Sequence, residues 1–103
     1  MLRLPQFELL RPTTATEAVA LLGEHEGSMI LAGGTDLLPN MKHELFTPKV
    51  VVSLEDIAEL RGVRADSDGT LRIGAMTRIA DVAANELVQA AAPALAQATS
   101  LIA

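Results

Sequence analysis

Apolar positions along this chain switch repeatedly between a strand-like and a helix-like period. Phe7-Glu8-Leu9-Leu10 reads as a short first strand, ended by Arg11-Pro12-Thr13. Thr14 and Glu17 have capping-box spacing, and Ala15, Ala18, Val19 and Leu22 recur on one helical face until Gly23 and Gly27 close the helix around Glu24-His25-Glu26. Met29-Ile30-Leu31-Ala32 is a continuous apolar run and predicts a buried strand, with Gly33-Gly34 at its C-terminal end. A short helix can follow from Leu37, because Pro39 is tolerated near a first turn. The valines of Lys49-Val50-Val51-Val52-Ser53-Leu54 predict a further strand.

Residues 62–66 and 70–75 flank Ser67-Asp68-Gly69 and predict a hairpin. Thr77 is placed to cap a helix running to Ala84, and Pro93 to open a last helix in the alanine-rich stretch that begins at Asn85. The chain is still apolar and helix-compatible at Ala103, with no glycine or basic last turn to satisfy the final carbonyls. Either the chain is truncated there or a natural terminal helix frays in solvent.

With 103 residues, one domain with a single core is expected. Half the residues are hydrophobic and only Phe7 and Phe46 are aromatic, a globular rather than disordered composition. The net charge of −5, without a basic stripe, argues against a nucleic-acid partner. No apolar run approaches the ~20 residues of a membrane span, and Pro5 and Glu8 interrupt any signal-peptide pattern at the start. The absence of cysteine excludes disulfides, thiolate metal sites and cysteine-ligated iron-sulfur clusters within the chain, and fits a cytoplasmic, reducing setting.

The chemistry worth weighing lies at Ala32-Gly33-Gly34-Thr35-Asp36. Adjacent glycines let backbone N–H groups converge on an anion, and Thr35 adds a hydroxyl. The segment is neither G-x-G-x-x-G nor a Walker A loop, so ordinary dinucleotide and nucleoside-triphosphate readings are weak and a simple turn is the plainer account. Asp36 either caps the following turn or accepts from a ligand hydroxyl, capping being the simpler role. His25 and His43 belong to no metal-ligand pattern, and Lys42 reads as a surface lysine. Glu55, Asp56 and Glu59 read as a solvated face opposite Ile57 and Leu60. No catalytic or metal-binding residue is assigned.

Leu31-Ala32-Gly33-Gly34-Thr35-Asp36-Leu37-Leu38-Pro39-Asn40-Met41-Lys42 resembles the first flavin-binding segment of the molybdopterin dehydrogenase FAD-binding domain. That family includes xanthine dehydrogenases and the medium or β subunits of carbon monoxide dehydrogenase and 4-hydroxybenzoyl-CoA reductase; the loop wording is most similar to the last. The likeness continues in order through Phe7, Arg11-Pro12, Glu17-Ala18, the valine strand, Ile57, Leu60 and Gly62, and then Leu71, Ile73, Gly74, Ala75 and Thr77.

The resemblance implies an α+β fold, the N-terminal subdomain of a PCMH-type (vanillyl-alcohol-oxidase-like) FAD-binding fold, with a small sheet flanked by helices. It implies FAD as cofactor, held at Ile30, Leu31, Ala32, Gly33, Gly34, Thr35, Asp36 and Leu37. Gly74, Ala75 and Thr77 are weaker candidates beside the alternative of a strand ending at a helix cap. It further implies an oxidoreductase in which the flavin passes electrons between iron-sulfur clusters and an external acceptor or donor. Molybdopterin and iron-sulfur clusters are then expected on partner subunits or domains. The family's second glycine motif, of Thr-Ile-Gly-Gly-Asn type, does not occur in the 103 residues. A fragment of an FAD-binding domain is therefore expected, the alternative being a cofactor-free scaffold or interaction fragment of the same fold.

Overall fold

The computed structural model describes residues 3–102. The chain divides into two compact units, Met1–Ala58 and Glu59–Ala103. Each has its own apolar cluster, in place of the single core expected from length.

The first unit is built on three parallel strands, β1 (Glu8–Leu10), β2 (Met29–Leu31) and β3 (Val50–Ser53), in the order β1-β3-β2. Parallel neighbours cannot be joined by a tight turn, so helices α1 (Ala15–Glu24) and α2 (Leu37–Lys42) occupy the connections. β3 is central: Leu9 and Met29 both register with Val51, and Leu10 and Ile30 with Val52. Successive side chains leave a strand on opposite faces, yet Val51 and Val52 are both fully buried, so β3 is covered on both sides. One cover is α2, whose Leu37 and Met41 cluster with Val51 while Phe7, Met29, Leu31 and Leu38 pack around them. Burying a side chain of Met41 or Val51 size stabilises by about 1.5–3 kcal/mol each.

The buried strand predicted at residues 29–32 is an edge strand instead, with Ile30 48% exposed. A continuous apolar run does not distinguish an edge position from a central one. The capping box forms, with a shift: Thr14 Oγ1 accepts from the Glu17 N–H at 3.1 Å, and the Glu17 carboxylate accepts from the N–H of Thr13 at 3.2 Å. Of the predicted apolar face of α1, Ala18 is buried, whereas Val19 is 69% exposed.

The second unit pairs β4 (Val63–Ala65) and β5 (Leu71–Ile73) as the predicted antiparallel hairpin. It continues into α3 (Ile79–Ala84), α4 (Glu86–Ala91) and α5 (Pro93–Ile102). Val82, Val88 and Ala96, one from each helix, form its cluster, and Val63 and Leu71 of the hairpin pack on it. Pro93 opens α5 as predicted, and Ala103 lies outside the described residues. Asn85 caps α4 by accepting from the N–H groups of Leu87 and Val88. Thr77 does not cap α3. Arg78 holds that position, and the threonine hydroxyl bonds to Gly62.

The hairpin turn is locked by its own side chain. The Gly69 N–H donates to the carbonyl of Asp66 at 3.0 Å and Gly69 has φ +89°, which favours glycine, while Asp68 Oδ1 accepts from the Thr70 N–H at 2.9 Å. That bond to the Thr70 backbone holds the Asp68 carboxyl below its ordinary pKa. A depressed carboxyl contributes stability that is present above its unfolded pKa of about 3.9 and disappears as pH falls through the lower folded value. Asp68→Asn is therefore expected to flatten the acid limb of the stability curve below about pH 4. Urea midpoints across that range test this; an unchanged acid limb in the variant would contradict it.

Candidate functional site

Three parallel strands deliver their C-terminal ends to one edge of the first unit. Leu10 runs into Arg11, Leu31 into the glycine loop, and Ser53 into Leu54-Glu55-Asp56. Ligands of open parallel sheets bind outside this edge. Ser53 is buried there, and its Oγ accepts from the Glu55 N–H at 3.2 Å. The Leu54 N–H donates to the carbonyl of Leu31 at 3.0 Å, carrying the β2–β3 ladder to the base of the glycine loop.

Residues 32–36 leave the sheet as a loop whose two glycines differ in what they require. Gly34 has φ +82°, and a Cβ placed on it would lie 2.8 Å from Leu38 Cδ1 and 3.3 Å from Leu31 Cδ1. It is needed for the turn itself. Gly33 has neither constraint: its φ is not positive, and a Cβ there would meet nothing within 4 Å. Open space therefore faces Gly33.

Backbone bonding completes the loop. The carbonyls of Gly34 and Asp36 accept from Leu38 and Asn40, which starts α2. The N–H groups of Gly33, Gly34, Thr35, Asp36 and Leu37 donate to no acceptor among the described residues. Consecutive free N–H groups around a left-handed residue have the donor arrangement that takes up an anion. The predicted cap at Asp36 is absent: its side chain makes no capping bond, and it sits exposed at the entrance to α2.

The other sequence-predicted residues divide by side chain. Leu37 belongs to the core cluster and Leu31 packs against it, so both offer a ligand backbone rather than side chain. Ala32, Gly33, Thr35 and Asp36 are exposed, as is Ile30 on the edge strand. His25 and His43 terminate α1 and α2, and no group of His, Asp or Glu suited to a metal ion occurs among the described residues.

Glu55, Asp56 and Glu59 are exposed opposite buried Ile57, as the solvated-face reading has it, and the first two also take a partner that the sequence did not suggest. Arg11 Nε and Nη2 donate to the two Asp56 carboxylate oxygens at 2.9 and 3.1 Å, and Nη2 reaches Glu55 Oε2 at 3.5 Å. The bond to Asp56, reinforced by attraction to both carboxylates, raises the Arg11 pKa further. All three groups are substantially exposed, so solvent and salt screen the clamp and it adds little stability. Its effect is geometric: it ties the exit of β1 to the exit of β3. Only the 44- and 45-residue separations hid it from sequence reasoning.

In the second unit, Gly74 and Thr77 act on backbone. A Cβ on Gly74 would collide with the Leu60 carbonyl and lie 2.9 Å from the Arg61 nitrogen. The Gly74 N–H donates to the Gly62 carbonyl at 2.9 Å, the Met76 N–H to the Leu60 carbonyl at 2.8 Å, and Thr77 Oγ1 accepts from the Gly62 N–H at 2.9 Å. Close backbone packing accounts for both residues.

Residues 5–103 match the family model described as FAD binding domain in molybdopterin dehydrogenase. The chain belongs to that family. This FAD-binding-domain chain is similar to the carbon monoxide dehydrogenase medium chain of Hydrogenophaga pseudoflava, at 44% identity over 96% of this chain and 34% of that one. It is also similar to the caffeine dehydrogenase subunit beta of Pseudomonas sp. (strain CBB1), at 37% identity over 94% of this chain and 33% of that one. The chain thus spans about a third of the length of these relatives. Among solved structures, the H. pseudoflava carbon monoxide dehydrogenase lacking the Mo-pyranopterin moiety of its cofactor matches 96% of this chain and 34% of its own, at 42% identity with a TM-score of 0.90. Quinoline 2-oxidoreductase from Pseudomonas putida 86 matches 94% and 34% at 27% identity, with a TM-score of 0.87. The α+β architecture with a three-stranded parallel sheet is that of the N-terminal part of the carbon monoxide dehydrogenase domain.

The contrast between the glycines makes a prediction. Gly34→Ala is expected to destabilise by about 1–3 kcal/mol, since it forces a non-glycine residue into the left-handed region against Leu38. Gly33→Ala is expected to leave stability unchanged or slightly raised. Thermal melts of the two variants decide; equal losses would refute the distinction.

Proposed function

We propose that the chain supplies the first half of an FAD pyrophosphate cradle in a molybdenum-hydroxylase-type oxidoreductase. The observation that carries this is the run of free backbone N–H groups from Gly33 to Leu37 at the C-terminal edge of the parallel sheet, with open space before Gly33. Family membership makes the anion a flavin dinucleotide rather than another phosphate. Gly33 admits the pyrophosphate to the backbone, Gly34 shapes the turn, and Thr35 can donate its hydroxyl. Asp36 stands clear of the N–H cradle's own bonding and is available to a ligand hydroxyl. Ile30, Leu31, Ala32 and Leu37 hold the loop on the sheet.

FAD, when bound, supplies electron transfer between iron-sulfur clusters and an external acceptor or donor. The residues of this chain bind and orient it; with no cysteine among them, cysteine-ligated clusters belong to partner domains or subunits, as does molybdopterin. Relatives named as a medium chain, a subunit beta and an FAD-binding subunit support a multi-subunit setting. Among the described residues no helix is long and apolar enough to cross a membrane.

The test is a chain extended through the expected second glycine motif, purified and scanned for bound yellow flavin. Bound FAD that Gly33→Val weakens by about tenfold or more, at unchanged melting temperature, is the expected result. A folded, extended chain without flavin would overturn the proposal in favour of a cofactor-free scaffold.

A further inference from the structure

The second unit carries a charge arrangement that its own fold does not explain. Arg64 and Arg72 are direct cross-strand partners in the hairpin. Like charges placed opposite each other destabilise a sheet. By the two-residue period, Gly62, Arg64 and Asp66 share one face with Thr70, Arg72 and Gly74, while Val63 and Leu71 face the helical cluster. Only one of these arginines is compensated: Arg72 Nε donates to Asp66 Oδ2. The side chains of Arg64, and of Arg61 just before the hairpin, make no hydrogen bond or ion pair among the described residues.

These three residues line a cleft of about 160 Å³ together with Glu59, Gly62, Ile73 and Gly74. A Cβ on Gly62 would meet nothing within 4 Å, so the space beside this backbone is open. With Arg78, these arginines are half of the eight cationic side chains of an acidic chain. Guanidinium forks suit oxyanions, and with Asp66 on Arg72 and the Glu59 carboxylate in the lining the cleft still keeps a net positive charge.

We propose that the cleft formed by Arg61, Arg64 and Arg72 binds a phosphate dianion, presented as free phosphate or as a phosphate monoester. Each unpaired guanidinium fork can take a pair of oxygens, and a phosphate, unlike a carboxylate, offers more than two. The cleft recognises its anion by side-chain charge and lies wholly within residues 59–74, whereas the glycine loop uses backbone donors of residues 33–37. The inference does not rest on the flavin reading.

The 103-residue chain, titrated with inorganic phosphate at constant ionic strength and followed by NMR of backbone amides and arginine Nε–H groups, tests this. Saturable shifts at Arg61, Arg64 and Arg72 are expected, weakened about tenfold by Arg61→Gln or Arg64→Gln and unaffected by Gly33→Val. Phosphate should raise the melting temperature of the parent and not of Arg64→Gln, which in phosphate-free buffer should melt no lower than the parent. Adenosine monophosphate distinguishes the sources: tighter binding than phosphate assigns the cleft to a monoester, equal binding to the free ion. Shifts that do not saturate, that persist in both arginine variants, or that are confined to residues 32–37 would overturn the proposal. So would a glutamate-rich peptide binding through Arg64 where phosphate does not.

Discussion

Burial of β3 on both faces is the constraint from which the glycine loop acquires its position. A central strand whose adjacent Val51 and Val52 are both inaccessible to water must have a strand on either side and cover above and below. Parallel pairing then sends the ends of β1, β2 and β3 to the same edge, because a parallel neighbour begins again from the far side of the sheet. The glycine loop, the Arg11 end of β1 and the Ser53-Leu54-Glu55 turn meet there as a consequence. Leu37 and Met41 link this edge to the core: the segment that ends the loop also packs α2 on Val51. Loop geometry and core packing are therefore not independent, and a change at Leu37 would move both.

The two adjacent glycines illustrate why a Gly-Gly pair is ambiguous in sequence. One of them, Gly34, is demanded by local conformation and by contact with Leu31 and Leu38, and would be glycine in a loop that bound nothing. Gly33 is demanded by neither. Glycine costs conformational entropy wherever the fold does not need it, and the proposed approach of a ligand to the backbone is what would give Gly33 its use. The same comparison separates Gly74, whose Cβ would strike the Leu60–Arg61 backbone, from any need of a ligand.

Local signals were legible wherever the controlling interactions were local. The Thr14–Glu17 box, the Asp68-Gly69 turn, Pro93 at the start of α5 and the valine strand each follow from interactions within a few residues. What sequence reasoning missed depends on distant partners. Thr77 precedes a helix and looks like its cap, but Gly62 competes for the hydroxyl from 15 residues away. Val19 has the spacing of a core residue, yet the described structure leaves it exposed. Ile30 lies in a run as apolar as the valine strand, and only the strand order shows that it belongs to an edge. The two-unit division is another such case, since 103 residues suggest one core while the hairpin and three short helices close a cluster of their own. The family resemblance holds for the chain as a whole, whereas which of the two glycines the turn itself requires shows only in three dimensions.

Net charge is a poor guide to the two proposed anion sites, for a physical reason. At the proposed glycine-loop cradle the attraction would come from oriented N–H dipoles, which keep their sign whatever the charge of the chain and tolerate an aspartate at position 36. At the proposed hairpin site it would come from whole charges, of which only Arg72 already has a carboxylate partner, Asp66. Fixed dipoles next to the sheet are preorganised by the β2–β3 ladder and the start of α2, so their donors need little reordering on binding. Arginine side chains must be immobilised and are screened by salt beyond a Debye length. An overall charge of −5 excludes a broad nucleic-acid surface but neither of these short-range modes, because both act over a few ångströms, within the distance at which composition has no say.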